Sequence, residues 1–349
     1  MKKHVLALLL ALMLCVQLTL PAGAAFRTYE DVQEDHWTTS SVERAIDLGL
    51  LQGKTEGAFG WGQPMSRAEF AVALVRLFGW EEVVPDRSTF SDAAPDSWFY
   101  TAVETAAANG ALSTGSPAFR PTDGITREEA ASMLIRGLGY TSLAGYAAEN
   151  ESPFSDVTTN KGFITAAYDM GLMSGTGDGL FHPEDVVTRE LGAAVLMRLY
   201  DCLYSHPIRL SSSSAYWEVA VETPLADSNG ILPTTPLEPL TDLYDALREM
   251  KESGTNMNRV VLSLNGGGIR TLTSYGVVLS SETLSAREVE AVLSRSDVNT
   301  YYSERYESAY CIYQPNAYQT ATVWYQNDES MAAKLQLASL FGVTRYVLR

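Results

Sequence analysis

Three cysteines and four histidines are all that 349 residues offer of the soft metal ligands, and no two of them stand at ligand spacing. A zinc or iron–sulfur centre has nothing to be built from, so neither a metal nor another cofactor is expected. Positive charge is scarce as well: 25 Lys plus Arg face 42 Asp plus Glu, a formal net charge of −17. Phosphate backbones are gripped by clustered Lys and Arg, which excludes nucleic acid as a generic partner. Beyond the first twenty-odd residues no apolar run approaches the ~20 residues that span a bilayer. What remains, at 46% hydrophobic, is an acidic, foldable composition long enough for two or three domains.

The apolar run that is present begins the chain. Lys2, Lys3 and His4 precede Val5 to Val16, and Pro21-Ala22-Gly23-Ala24 supplies a small-residue cleavage site. Residues 1–24 therefore read as a secretory signal peptide, with a mature start near Ala25 and no membrane contact after its removal. Cys15 lies inside the apolar core behind Leu14, which argues against lipoprotein-type cleavage. Processing removes two lysines and leaves −19, divided as 12 basic and 26 acidic residues up to position 205, and 11 and 16 beyond it. The surplus of −14 against −5 places the acidity in the first part. Cys202 and Cys311 fall one in each part and make no disulfide framework.

That acidic part is repetitive. Tyr29-Glu30-Asp31-Val32, Phe90-Ser91-Asp92-Ala93 and Phe154-Ser155-Asp156-Val157 open three units, and Ser66-Arg67-Ala68-Glu69, Thr126-Arg127-Glu128-Glu129 and Thr188-Arg189-Glu190-Leu191 recur within them. The arginines are 60 and 62 residues apart, and Phe59, Phe119 and Phe181 stand eight positions before them. Between these marks a helix-like run ends on Gly49, Gly110 or Gly171, as helices do at a C-terminal cap. A second helix follows each Ser/Thr-Arg pair, with apolar residues such as Phe70, Leu74, Leu77 and Phe78 on one face. Each unit reads as helix, extended loop, helix, and three must pack together because one alone exposes too much apolar surface.

Ser66 with Glu69, and Thr126 with Glu129, fit capping boxes, which explains hydroxyl and carboxylate structurally. The arginine has no such explanation: at the first helical position its charge opposes the helix dipole. Two readings stand side by side. The guanidinium is held for an external anion near free amides, or it pairs internally with Asp31, Asp92 or Asp156.

The aromatic-x-Asp opening, Trp37 and Trp98, the glycine turns, the Phe and the Thr-Arg-x-Glu block resemble three consecutive S-layer homology domains, over roughly residues 26–205. The resemblance implies an α-helical three-repeat, pseudo-threefold spindle, with repeats at 26–85, 86–145 and 146–205. It implies noncovalent anchoring at the cell surface through secondary cell-wall polysaccharide, often pyruvylated, bound in grooves between repeats. Carried over, Arg67, Arg127 and Arg189 are the carboxylate-facing groups, and Trp37 and Trp98 line the grooves, with a core position at a helix start as the alternative for both tryptophans. A guanidinium grips one planar carboxylate bidentately, and an indole covers a sugar's C–H face. The third unit departs from the pattern with Phe163 near the Trp position and Leu191 for the capping Glu, and Trp61 stands where the others have Pro121 and Pro183. One or two working grooves are expected rather than three, with the third unit's the least expected.

Residues 206–215 read as a polar linker and 216–349 as a small α/β domain. Strands are expected at Trp217–Glu222, Arg259–Leu264, Ala309–Tyr313, Ala321–Trp324 and Thr344–Leu348. Helices are expected at Leu240–Lys251, Ala286–Leu293 and Glu329–Phe341. Asn265-Gly266-Gly267-Gly268-Ile269-Arg270 reads as a glycine-rich turn, since no G-x-S-x-G elbow follows to make it an oxyanion loop. Asp242, Asp245 and Glu249 line a solvated helix stripe. Val323-Trp324-Tyr325-Gln326-Asn327-Asp328-Glu329-Ser330 and the helix after it resemble the closing part of chitinase-like family-18 glycoside hydrolases. Their acid-rich D-x-x-D-x-D-x-E motif is absent, and about 135 residues cannot close a barrel of about 250. The resemblance implies a partial TIM-barrel-like unit without hydrolase activity, so no catalytic residue is assigned. The competing reading is a wall-anchored hydrolase or autolysin. Leu232-Pro233-Thr234-Thr235-Pro236 is not a sortase signal, having Pro where Gly is required.

Overall fold

A computed structural model describes residues 29–211, 217–220, 240–264, 266–303 and 307–348. The expected signal peptide and the Leu232–Pro236 stretch lie outside the described residues. Each repeat is built from two helices: α1 (Thr39–Asp47) and α2 (Arg67–Phe78), α3 (Tyr100–Ala108) and α4 (Arg127–Gly137), then α6 (Lys161–Asp169) and α7 (Arg189–Tyr200). Both predicted capping boxes form, Ser66 with Glu69 on α2 and Thr126 with Glu129 on α4. Gly49, Gly110 and Gly171 end the first helices at φ of 69°, 75° and 73°, where a side chain would be strained.

A short helix between the second and third repeats, α5 (Thr141–Ala147), was not expected. Seven residues with Gly145 inside have little helix propensity, and it is the burial of Leu143, Ala144 and Ala147 that holds them. Packing against α6 is so close that a Cβ at Gly162 would meet the Ala144 carbonyl oxygen at 1.7 Å.

The repeats engage in cyclic order. First helices pack on the second helix of a neighbouring repeat, α3 on α2, α6 on α4 and α1 on α7. Single antiparallel bridges join Ser66 to Gly124, Thr126 to Val186, and Thr188 back to Pro64. The first and third repeats thus meet as the first and second do. Phe59, Phe119 and Phe181 are buried at the joints, each 1% exposed or less, and each packs on its own repeat's opening aromatic, Tyr29, Phe90 or Phe154.

Beyond residue 205 the described strands form two sheets. β1 (Arg209–Leu210), β2 (Trp217–Ala220), β3 (Val260–Leu264) and β9 (Arg345–Leu348) make a parallel sheet of order β1-β9-β3-β2. β4 (Gly268–Ser274), β5 (Val277–Leu284), β6 (Asn299–Ser303), β7 (Ser308–Asn316) and β8 (Gln319–Tyr325) make an antiparallel sheet of order β5-β4-β8-β7-β6. Its Cys311, Ala321 and Val323 pack under α9 (Ala286–Leu293) in a separate core. The glycine-rich stretch read as a turn passes into β4 at Gly268. A Cβ there would lie 2.5 Å from the Trp324 carbonyl oxygen, so glycine serves close strand packing. β1 falls inside the stretch read as a linker.

The parallel sheet is not held at arm's length from the repeats. Its helices α8 (Leu240–Glu252) and α10 (Asp328–Leu340) share one continuous core with them: Val260, Leu262, Leu243, Leu247 and Leu337 join the cluster that holds Leu143, Ala147 and Leu199. Polar contacts fasten the same joint. Gln336 Nε2 donates to the Leu138 carbonyl at 3.2 Å, and the Tyr244 hydroxyl meets the Asp169 carboxylate. Of the stripe Asp242, Asp245 and Glu249, the first and last are exposed, whereas Asp245 accepts from the Tyr146 hydroxyl of α5.

Candidate functional site

The inter-repeat joints are built from the opening aspartates inward. The Asp31 carboxylate accepts from the Phe59, Gly60 and Trp61 amides at 2.7, 2.7 and 2.9 Å. Asp92 does the same for Phe119 and Arg120 at 2.8 and 2.7 Å, and Asp156 for Phe181 and His182 at 2.9 and 2.7 Å. Each aspartate clamps a tight turn whose second residue, Gly60, Arg120 or His182, has φ of 90°, 59° or 56°. For Asp31 and Asp92 burial alone would push the carboxyl up, and the amide bonds outweigh it, holding both below the ordinary range. Asp156 is held low by the Phe181 and His182 amides. The aspartates are thus spoken for: among the described residues none of the three is in ion-pair contact with the arginines, and the two act on one another only through space.

The arginines reach across the joints instead. Nε of Arg67 donates to the Phe119 carbonyl at 2.7 Å, that of Arg127 to Phe181 at 2.8 Å, and that of Arg189 to Phe59 at 2.8 Å. Each guanidinium lies over the ring of the same phenylalanine, at 4.9, 4.5 and 4.6 Å. One edge and one face of every guanidinium therefore serve the protein itself. The remaining edge differs by groove. Arg67 Nη1 lies 2.6 Å from Glu129, and Arg189 Nη1 lies 2.8 Å from Glu69. Arg127 Nη2 donates to the Ser174 carbonyl at 2.6 Å. Arg189 is 2% exposed, the most enclosed guanidinium of a joint that also engages the Gln52 carbonyl.

Trp37 and Trp98 sit at the starts of α1 and α3 and are 60% and 68% exposed, so they are surface indoles and not core aromatics. Trp37 reaches the seam with the third repeat, where Arg198 of α7 lies 5.7 Å from its ring centroid. In the third repeat Phe163 is half-buried under Arg136 at 4.5 Å and presents no comparable face. Arg76, Arg136 and Arg198 form a second arginine series that sequence reasoning missed. They stand nine positions after the first series, so the same spacing could have found them. Arg76 and Arg198 donate to the Gly49, Leu50 and Leu172 carbonyls, each at 3.3 Å, which lie just past the ends of α1 and α6 where the helix dipole is negative. Among the described residues no three His, Cys, Asp or Glu side chains converge as metal ligands, and no helix is long and apolar enough to cross a membrane.

Residues 28–71, 89–131 and 153–190 match the profile of the S-layer homology domain. Among curated proteins, the chain is similar to the S-layer protein sap of Bacillus anthracis, 23% identical over 203 residues that cover 58% of this chain and 25% of that one. It is similar as well to the exoglucanase XynX of Acetivibrio thermocellus, 27% identical over 180 residues covering 50% and 16%. A surface layer protein of Brevibacillus choshinensis is 32% identical over 143 residues, 40% and 13% of the respective chains. The match thus spans a quarter or less of these relatives' length. Among solved structures, the spore cortex-lytic enzyme SleL of Bacillus megaterium aligns with a TM-score of 0.29 at 15% identity, covering 38% of this chain and 36% of that one, too slight a likeness to carry an argument. Between residues 28 and 190 this chain carries three S-layer homology domains, and it is a protein of the cell surface.

Proposed function

We propose that the three domains hold the protein noncovalently on the bacterial cell wall by binding a secondary wall polysaccharide that carries carboxylates, a pyruvate ketal on an amino sugar being the chemistry that fits. The observation that carries this reading is the pair of exposed indoles, Trp37 and Trp98, at the same place in two repeats joined through arginine-bearing seams. An exposed indole is an apolar face for sugar C–H groups, and a guanidinium beside it grips a planar carboxylate. The acidity of the repeats, −14 up to residue 205, opposes indiscriminate adhesion to wall polyanions, so recognition rests on placed cations. On this reading the repeats form a pseudo-threefold spindle and carry a non-catalytic α/β part docked on one side.

The test is sedimentation of the secreted protein with cell-wall sacculi before and after the attached polysaccharide is stripped. The protein should pellet with intact sacculi and stay in solution with stripped ones. Equal pelleting in both removes the proposal. Zymography on peptidoglycan and chitin addresses the competing hydrolase reading, and no clearing is expected.

A further inference from the structure

At the seam between the third and first repeats, three rings stand together around the exposed Trp37. His36 tilts its imidazole 37° against that indole with centroids 5.8 Å apart, and it meets Trp61 edge-on, at 5.2 Å and 87°. Polar bonds pin the same ring: the Thr38 amide donates to its Nδ1 at 3.4 Å, and the Thr38 hydroxyl lies 2.8 Å from that nitrogen. Thr38 is wholly buried and directly precedes α1, yet its hydroxyl makes no cap there. The cap that a threonine at this place ordinarily supplies is given up to hold an imidazole.

Trp61 is fixed in turn. Its amide donates to Asp31 at 2.9 Å, and its half-buried indole packs on the core. From the third repeat, Arg198 lies 5.7 Å from the Trp37 ring centroid and is itself tied to the Leu172 carbonyl at 3.3 Å. Trp37 therefore keeps 60% exposure while residues of two repeats confine it. The second repeat has Ser97 and Pro121 at the places of His36 and Trp61. Among the described residues its Trp98 meets one ring, Phe99, edge-on at 5.5 Å.

We propose that His36 is a positioning residue for wall-polysaccharide binding: braced by Trp61 and Thr38, it holds the exposed Trp37 indole ready for a sugar ring and makes this seam the tighter of the two indole-bearing sites. An exposed side chain that its ligand must immobilise weakens binding by the freedom it loses, and one already held does not. Trp61, a departure from the proline of the other repeats, becomes the brace of that site. This inference rests on the reading of the repeats as polysaccharide binders and names which site is tighter and what makes it so.

Calorimetric titration of the full chain with purified secondary wall polysaccharide, read beside thermal unfolding, tests it. His36→Ala and Trp61→Ala should each bind about three- to tenfold more weakly than the parent. His36→Phe, which restores a ring against both indoles, should recover affinity to within about twofold. In a Trp37→Ala background His36→Ala should have no further effect, because its whole action passes through that indole. Trp37→Ala should cost more affinity than Trp98→Ala. The proposal is overturned by folded His36→Ala and Trp61→Ala that bind like the parent, by a His36→Ala loss that persists in the Trp37→Ala background, by failure of His36→Phe to recover, or by a Trp98→Ala loss as large as that of Trp37→Ala. Should His36→Ala not fold, Trp61→Ala and the comparison of the two indoles decide alone. A parent that binds neither polymer nor sacculi removes the anchoring reading and this inference with it, whereas a parent that binds no better than these variants removes this inference only.

Discussion

Arg189 and Phe59 lie 130 residues apart, and the Arg189 Nε donates to the Phe59 carbonyl oxygen at 2.8 Å while its guanidinium covers the Phe59 ring. The contact joins the third repeat to the first and closes the cycle that Arg67 and Arg127 make elsewhere. A buried guanidinium facing a carboxylate on one edge and carbonyls on the others fixes the angle between repeats more than it adds net stability.

Removing this contact should nonetheless be costly. Arg189→Ala leaves the half-buried Glu69 with Lys54 alone and strands the Phe59 and Gln52 carbonyls, so a loss of about 3 kcal/mol is expected. Arg67→Ala should cost less: each glutamate keeps a second cation, but Arg67 is the less buried guanidinium and its removal strands the Phe119 carbonyl alone. Chemical unfolding of both variants measures the difference, and equal losses would contradict this account of the joints.

Trp37→Ala and Trp98→Ala should separate binding from folding. Both side chains are mostly exposed, so stability should move by no more than about 0.5 kcal/mol. Retention on intact sacculi should fall in each single variant and further in the double. Full retention in the double variant would make the indoles incidental.

Gly162→Ala should destabilise by at least about 1–3 kcal/mol, because the added methyl collides with the Ala144 carbonyl and α5 has too little helix propensity to re-form elsewhere. Thermal unfolding shows it, and a shift within error would mean that α5 moves freely.

Acid should loosen the repeats in one pH window. Asp31, Asp92 and Asp156 are held below the ordinary carboxylate value in the folded state. Their contribution is fully present above the unfolded value of about 3.9 and is lost as pH falls through the lower folded values. His182 runs the other way. Its hydrogen bond to Asp178 raises it, so its contribution is present below about 6.5 and lost as pH rises through the folded value. With its side chain about a third exposed and its partner Asp178 more so, solvent screening should keep this small. A stability profile that falls steeply only on the acid side, and flattens there in Asp31→Asn, is the expected result; an unchanged acid limb would locate the titration elsewhere.

Much of the repeat was legible because its signals are local. A hydroxyl three residues before a carboxylate announces α2 and α4, and a glycine announces the end of each first helix. The role of Asp31, Asp92 and Asp156 was hidden because their partners are backbone amides 25 to 30 residues away, which have no side-chain signature. The arginines were recognised as unusual, but their use as joints depends on which repeat follows which in space. In the C-terminal part the central strands β7 and β8 were readable from their β-branched and aromatic residues, whereas β4 and β5 were missed. Gly268 falls in the stretch read as a glycine-rich turn, and the Ser/Thr-rich residues after it carry no strong strand signal until cross-strand pairing supplies the context. The docking of α8 and α10 on the repeats was invisible for the same reason, since an apolar helix face does not name its partner.

The most direct test of the central claim is calorimetric titration of the whole protein with purified secondary wall polysaccharide, native and with its carboxylate-bearing substituents removed. Saturable binding of the native polymer that survives moderate salt, and its disappearance with the stripped polymer, is the predicted result. Equal binding of both polymers, or no saturable binding of either, would contradict it.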